Sequence, residues 1–129
     1  MKEYKDLNSI VLEDAYFDNE KRVKQAYYRL EINNDGNIKE EDKDNKVIRI
    51  YKADKEEVYK LYTKIIEFID DIQGKDLLID DTQRTVILKY TSDEVRLYSL
   101  SYNSKHEHLA CIIDDFMNDK AKLISESYK

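Results

Sequence analysis

The residues best suited to chemistry lie in one stretch, His106-x-His108-x-x-Cys111-x-x-Asp114-Asp115. His108 and Cys111 stand three apart, the spacing at which helix side chains meet, and a thiol needs such a neighbouring base or cation to act as thiolate at neutral pH. A zinc ion would need another ligand from elsewhere in the chain. On a helical wheel centred on Leu109 and Phe116, Cys111 falls nearly opposite the core with His108, Asp115 and Asp119 around it, so an exposed thiol is expected. A second stretch, Glu31-x-Asn33-x-Asp35-Gly36-Asn37-Ile38-x-x-x-Asp42, places glycine sixth and isoleucine eighth as a calcium-binding helix-loop-helix does. Its last position is Asp rather than Glu and strand-like alternation precedes it, so a hairpin turn accounts for Gly36 more simply. The only glycines are Gly36 and Gly74, and neither belongs to a phosphate-binding loop. No catalytic, metal-ligating or cofactor-binding set is assigned from these residues.

Two surfaces invite recognition rather than catalysis. If Tyr28, Leu30 and Ile32 point into a core, Tyr27, Arg29 and Glu31 point away; Ile48 and Ile50 inward leave Arg49 and Tyr51 outward. Val95 and Leu97 inward leave Arg96, Tyr98, Leu100 and Tyr102 outward, beside Lys89. The open face is therefore expected to carry Tyr27, Arg29, Arg49, Tyr51, Arg96, Tyr98 and Tyr102, residue types enriched at binding hot spots. The second surface is acidic: Glu67, Asp70, Asp71, Asp76, Asp80 and Asp81 are opposed by Lys75 alone. Asp70 and Asp71 fall in the last turn of a helix, against its dipole, and Asp114, Asp115 and Asp119 add acids on a second helix. Rows of carboxylates can imitate a nucleic-acid backbone, and equally they solubilise a surface.

The elements that must position these residues follow from periodicity. Val58, Leu61, Tyr62, Ile65, Ile66, Ile69 and Ile72 mark one face of a helix over 54–73, with Asp54 and Glu57 as a capping pair and Gly74 after it. Ser104 and Glu107 cap a second helix over 105–123, whose face is Leu109, Ile112, Ile113, Phe116, Met117, Lys120 and Leu123. Strands are expected over 9–16, 23–32, 46–52, 85–91 and 95–102, with a short one at 77–79, while 39–45 reads as a solvated loop or an edge extension. The order βββα-βββα predicts an α+β domain over 1–129, a mainly antiparallel sheet with both helices on one face. The halves 1–73 and 74–129 rhyme, which either duplication or shared strand-helix grammar explains.

The composition narrows the function classes. The chain has 129 residues, 41% apolar and 39% charged against roughly 25% charged in typical globular proteins. Acids outnumber bases 28 to 22, so binding to nucleic acid through a globally basic surface is excluded. One cysteine forbids an internal disulfide, and the lack of a long apolar run points to a cytoplasmic protein with no membrane span. The abundance of Lys, Asn, Ile, Asp and Tyr suits an AT-rich bacterial or phage genome. A core and charged surfaces without recognisable chemistry point to a non-enzymatic protein-interaction module, an inhibitor or immunity-type antagonist of a basic or nucleic-acid-handling protein. The alternatives are a single-strand nucleic-acid binder stacking bases on Tyr27, Tyr51, Tyr98 and Tyr102, or a small metal or thiol enzyme at Cys111. Pairing of two copies through the sheet face is compatible with the first reading.

Overall fold

The computed structural model describes residues 6–18, 20–70, 82–99 and 104–126. Their order is β1 (Leu7–Asp18), β2 (Val23–Asn33), β3 (Asn37–Asp42), β4 (Val47–Lys52), α1 (Lys55–Asp70), β5 (Thr82–Tyr90), β6 (Val95–Ser99), α2 (Ser104–Asp119) and β7 (Lys122–Glu126). Among the described residues the strands form one antiparallel sheet in the order β6-β5-β1-β2-β3-β4-β7. This is an α+β fold with more strands than the sequence suggested. The stretch expected as a loop is β3, an interior strand, and the end of the second expected helix is β7, an edge strand. The expected strand at 77–79 lies outside the described residues.

Both helices lie on one face of the sheet, because that face carries the strands' apolar set. Ile10 and Leu12 of β1, Leu30 and Ile32 of β2, Ile38 of β3 and Val86, Leu88 and Tyr90 of β5 form one core with the stripes of the two helices. From α1 come Val58, Leu61, Tyr62, Ile65 and Ile66; from α2 come Leu109, Ala110, Ile112, Ile113 and Phe116. Burying each large side chain of this set contributes roughly 1.5–3 kcal/mol. Tyr62, fully buried, adds a directional tie by donating its hydroxyl to the Ile32 carbonyl at 2.7 Å. Burial pushes its phenol pKa well above the ordinary value.

Two turns set the registers. At the β2–β3 hairpin, Gly36 takes φ of +90° and donates its N–H to the Asn33 carbonyl. Asp35 accepts from the Asn37 backbone N–H at 2.9 Å, which holds its carboxyl below the usual carboxylate range. A Cβ at position 36 would sit 2.2 Å from the Ala53 carbonyl oxygen, where the chain leaves β4 for α1. The calcium-loop resemblance thus resolves into a turn flanked by strands rather than helices. At the β5–β6 hairpin, Tyr90 donates its N–H to the Glu94 carbonyl, and Asp93 takes φ of +69°.

α1 begins where the sequence places it: the Asp54 carbonyl accepts from the Val58 N–H, and Glu56 and Glu57 occupy the first turn, complementing the dipole. Neither helix has a base in its last turn. No helix among the described residues is long and apolar enough to cross a membrane.

Candidate functional site

The densest polar arrangement on the helix-covered side is built around Glu40. The tight turn pairs Ile32 with Ile38, which sends Ile38 into the core, and the two-residue period then sends Glu40 to the same side and Lys39 and Glu41 to the other. A carboxylate almost wholly removed from water requires compensating donors. Tyr28 donates its hydroxyl to Oε2 at 2.6 Å, Tyr51 donates to Oε1 at 2.5 Å, and Arg49 Nη1 stands 3.5 Å from Oε1. Arg49 Nε donates to Glu126 at 2.7 Å, linking the cluster to β7. Burial first, and the bond to Glu40 second, push the Tyr51 phenol up to about 12 and the Tyr28 phenol further.

This cluster forms one wall of a cleft of about 270 Å³ between the sheet and α2. Leu12, Leu30 and Met117 supply its apolar surface, while Asp14, Arg84 and Asp114 join Tyr28, Glu40 and Tyr51 as its polar groups. Arg84 Nε is engaged by its cross-strand neighbour Asp14 at 3.0 Å. Both phenol protons are directed at Glu40, so the hydroxyls turned to the cleft offer lone pairs. The cleft presents chiefly acceptors.

The opposite face differs from expectation. Arg29 does point there, and it lies among Glu13 at 3.7 Å, Glu31 at 3.5 Å and Glu41 at 3.7 Å. Lys39 and Lys89 join the same lattice through Glu31 and Glu41. Beneath it Val11, flanked across the strands by Glu31 and Ile87, is fully buried although it faces away from the helices. Arg49, Tyr51, Arg96 and Tyr98 are corrections, since all four lie on the helix-facing side. Tyr51 pairs with core residue Ile38 and Arg49 with Glu40; Arg96 pairs with Leu88 and Tyr98 with Val86. Tyr98 is itself part of the core, and the residues on the open side are Ile50, Val95 and Leu97. In β4 the demand of Glu40 for partners sets the phase; in β6 the hairpin register does, because Lys89 outward carries Val95 outward with it. The base-stacking platform therefore loses Tyr51 and Tyr98, and Arg29 stands among carboxylates rather than apart from them.

Of the acidic surface, Glu67 is exposed on α1 and shares a depression with Phe68, His108 and Asp115. Asp71, Asp76, Asp80, Asp81 and Tyr102 lie outside the described residues, as do the side chains of Tyr27 and Asp70. Cys111 is exposed as the helical wheel requires. His108 packs on Phe68, ring centroids 5.0 Å apart. Among the described residues no three His, Cys, Asp or Glu side chains are grouped to hold a metal ion.

Compared with models of protein families, with curated proteins and with solved structures, the chain matches none. The residues that sequence reasoning missed are Asp14, Tyr28, Glu40 and Arg84. One signal for Glu40 was available: a turn at Asn34-Asp35-Gly36 pairs Ile32 with Ile38 and so fixes the side on which Glu40 falls.

Proposed function

We propose that this protein is a recognition module for a basic protein partner, in the manner of a small inhibitor or immunity-type antagonist, and that the Glu40 cleft receives a cationic side chain of that partner. The observation that carries this reading is the excess of acceptors in the cleft: Asp14, Glu40, Asp114 and two phenolic oxygens whose own protons are committed. An arginine or lysine brings the missing donors, and its aliphatic stem suits Leu12, Leu30 and Met117. Hydrogen bonds to charged groups of this kind contribute about 1.5–3 kcal/mol each. Exposed acids at Glu67, Asp115 and Asp119 on the helical side favour encounter with a positively charged surface.

The test uses acetyl-arginine amide and its uncharged isostere acetyl-citrulline amide, titrated into the protein while amide shifts around Glu40 and Tyr51 are followed by NMR. Arginine is expected to move them saturably and citrulline to leave them in place. Asp114→Asn, an exposed substitution, should weaken the arginine response about tenfold with an unchanged unfolding midpoint. Equal responses to the two amides, or none, overturn the reading.

A further inference from the structure

We propose that two copies of the chain join through the edge of β6 that faces away from β5, by antiparallel pairing centred on Leu97, to make one sheet continuous across both. Among the described residues β6 has a strand neighbour on one side only. Which backbone groups it leaves free follows from the hairpin: the Tyr90 N–H bonds the Glu94 carbonyl, so bonded pairs alternate onward through Leu88 with Arg96 and Val86 with Tyr98. The N–H and C=O groups of Val95, Leu97 and Ser99 therefore point outward along the edge. A second β6 related by a twofold axis at Leu97 sets Leu97 against Leu97 and Val95 against Ser99, and every one of those groups gains a partner.

The side chains agree with this register. Val95 and Leu97 are 49% and 41% exposed on the open face, where Leu97 is the cross-strand neighbour of half-buried Ile87. Pairing about Leu97 makes one apolar strip from the Ile87 of one copy to the Ile87 of the other. On the helix side it sets Arg96 against Tyr98 of the second copy, so no like charges meet. A register centred on Arg96 would still bond Val95 to Leu97 through the backbone, but it sets two guanidinium groups against each other across the axis. A register centred on Val95 runs Leu97 into Asp93, which lies in the turn with positive φ.

The other edge of the sheet favours β6 as the joining strand. β7 pairs with β4 through an irregular register between Ile50 and Tyr51 and carries Lys122 and Glu126, both devices that discourage further pairing. β6 runs in unbroken register with β5 and carries a single charge, Arg96. The pairing stands independently of the Glu40 cleft, none of whose lining residues lies on β6.

Sedimentation of the full chain over a range from about 10 µM to 1 mM tests the proposal. A monomer–dimer equilibrium is expected, and Leu97→Lys, which places two ammonium groups across the axis, should weaken it at least about tenfold while circular dichroism shows the fold retained. In a Cys111→Ser background, Leu97→Cys should form a disulfide-linked dimer under mild oxidation, because bonded antiparallel pairs hold their Cα atoms about 5.5 Å apart, within disulfide range. Ile50→Cys, also on the open face, should not. A wild type that stays monomeric at the highest concentration, a dimer indifferent to Leu97→Lys, or equal cross-linking at positions 50 and 97 overturns it.

Discussion

Glu40 and Thr85 are opposite cases of a buried polar side chain. Glu40 has two phenol donors and an arginine beside it, so exchanging its carboxylate for an amide sets one of the two donors against an NH2 group and removes the charge facing Arg49. Glu40→Gln is expected to lower stability by about 1–3 kcal/mol, read as a fall in the urea midpoint. Thr85 Oγ1 is, among the described residues, the buried side-chain polar atom that has no hydrogen bond. Thr85→Val, nearly the same shape without the hydroxyl, is expected to raise the midpoint by up to about 1–2 kcal/mol. The tyrosines give the pH dependence its sign. Burial raises Tyr51 and Tyr90 to about 12 and Tyr28 and Tyr62 beyond them, while the unfolded chain titrates near 10. Above pH 10 the unfolded state binds fewer protons than the native state, so the tyrosines' contribution to stability, constant below that point, falls as pH rises towards the folded values. Urea midpoints at pH 9, 10 and 11 should decline progressively, and Tyr51→Phe should flatten the decline. The importance of Glu40 was hidden in the sequence because Glu40 and Glu41 are adjacent acids in a polar run. Only strand pairing sends one to the tyrosines and the other to Arg29 and Lys39.

At the scale of elements, the hairpins govern more than the strands' own hydrophobicity does. The helices were legible within a few residues because their apolar stripes repeat over several turns, and Cys111 fell on the exposed side for the same reason. The phases of β4 and β6 were not legible. Both strands approach the sheet's rim, where Ile50, Val95 and Leu97 remain partly in water and Tyr98 takes the core position. Alternation then marks a strand without saying which side is inside, and the turn decides. The Gly36 turn is the most constrained of these. Gly36→Ala is expected to cost about 2–3 kcal/mol, seen as a lowered thermal midpoint, from its positive φ and from the backbone oxygen of Ala53. Gly36→Asn separates the causes: it tolerates the dihedral angle but not the contact, so it should remain about as destabilised as Ala.

Across the whole molecule, the fold class was legible and the strand order was not. β1 sits between β2, its neighbour in the chain, and β5, which arrives only after three strands and a helix. No local pattern announces so distant a partner, nor that the segment after α2 turns from helix to strand to cover β4. Pairings of that separation slow folding towards the millisecond-to-second range. The chain has no proline, so that search is its slowest expected step. Refolding from urea should show no phase of tens of seconds, and its amplitudes should not depend on how long the protein was held unfolded; a delay-dependent slow phase would contradict this.

The interior place of β1 also bears on synthesis. While a ribosome makes β2, β3, β4 and α1, at about 5–20 residues per second, one side of β1 has no β5 to pair with. For several seconds a strand that will lie inside the finished sheet is its exposed rim. Selection against aggregation should therefore act on Ile10, Val11 and Leu12 of the nascent chain more strongly than their burial in the folded protein suggests.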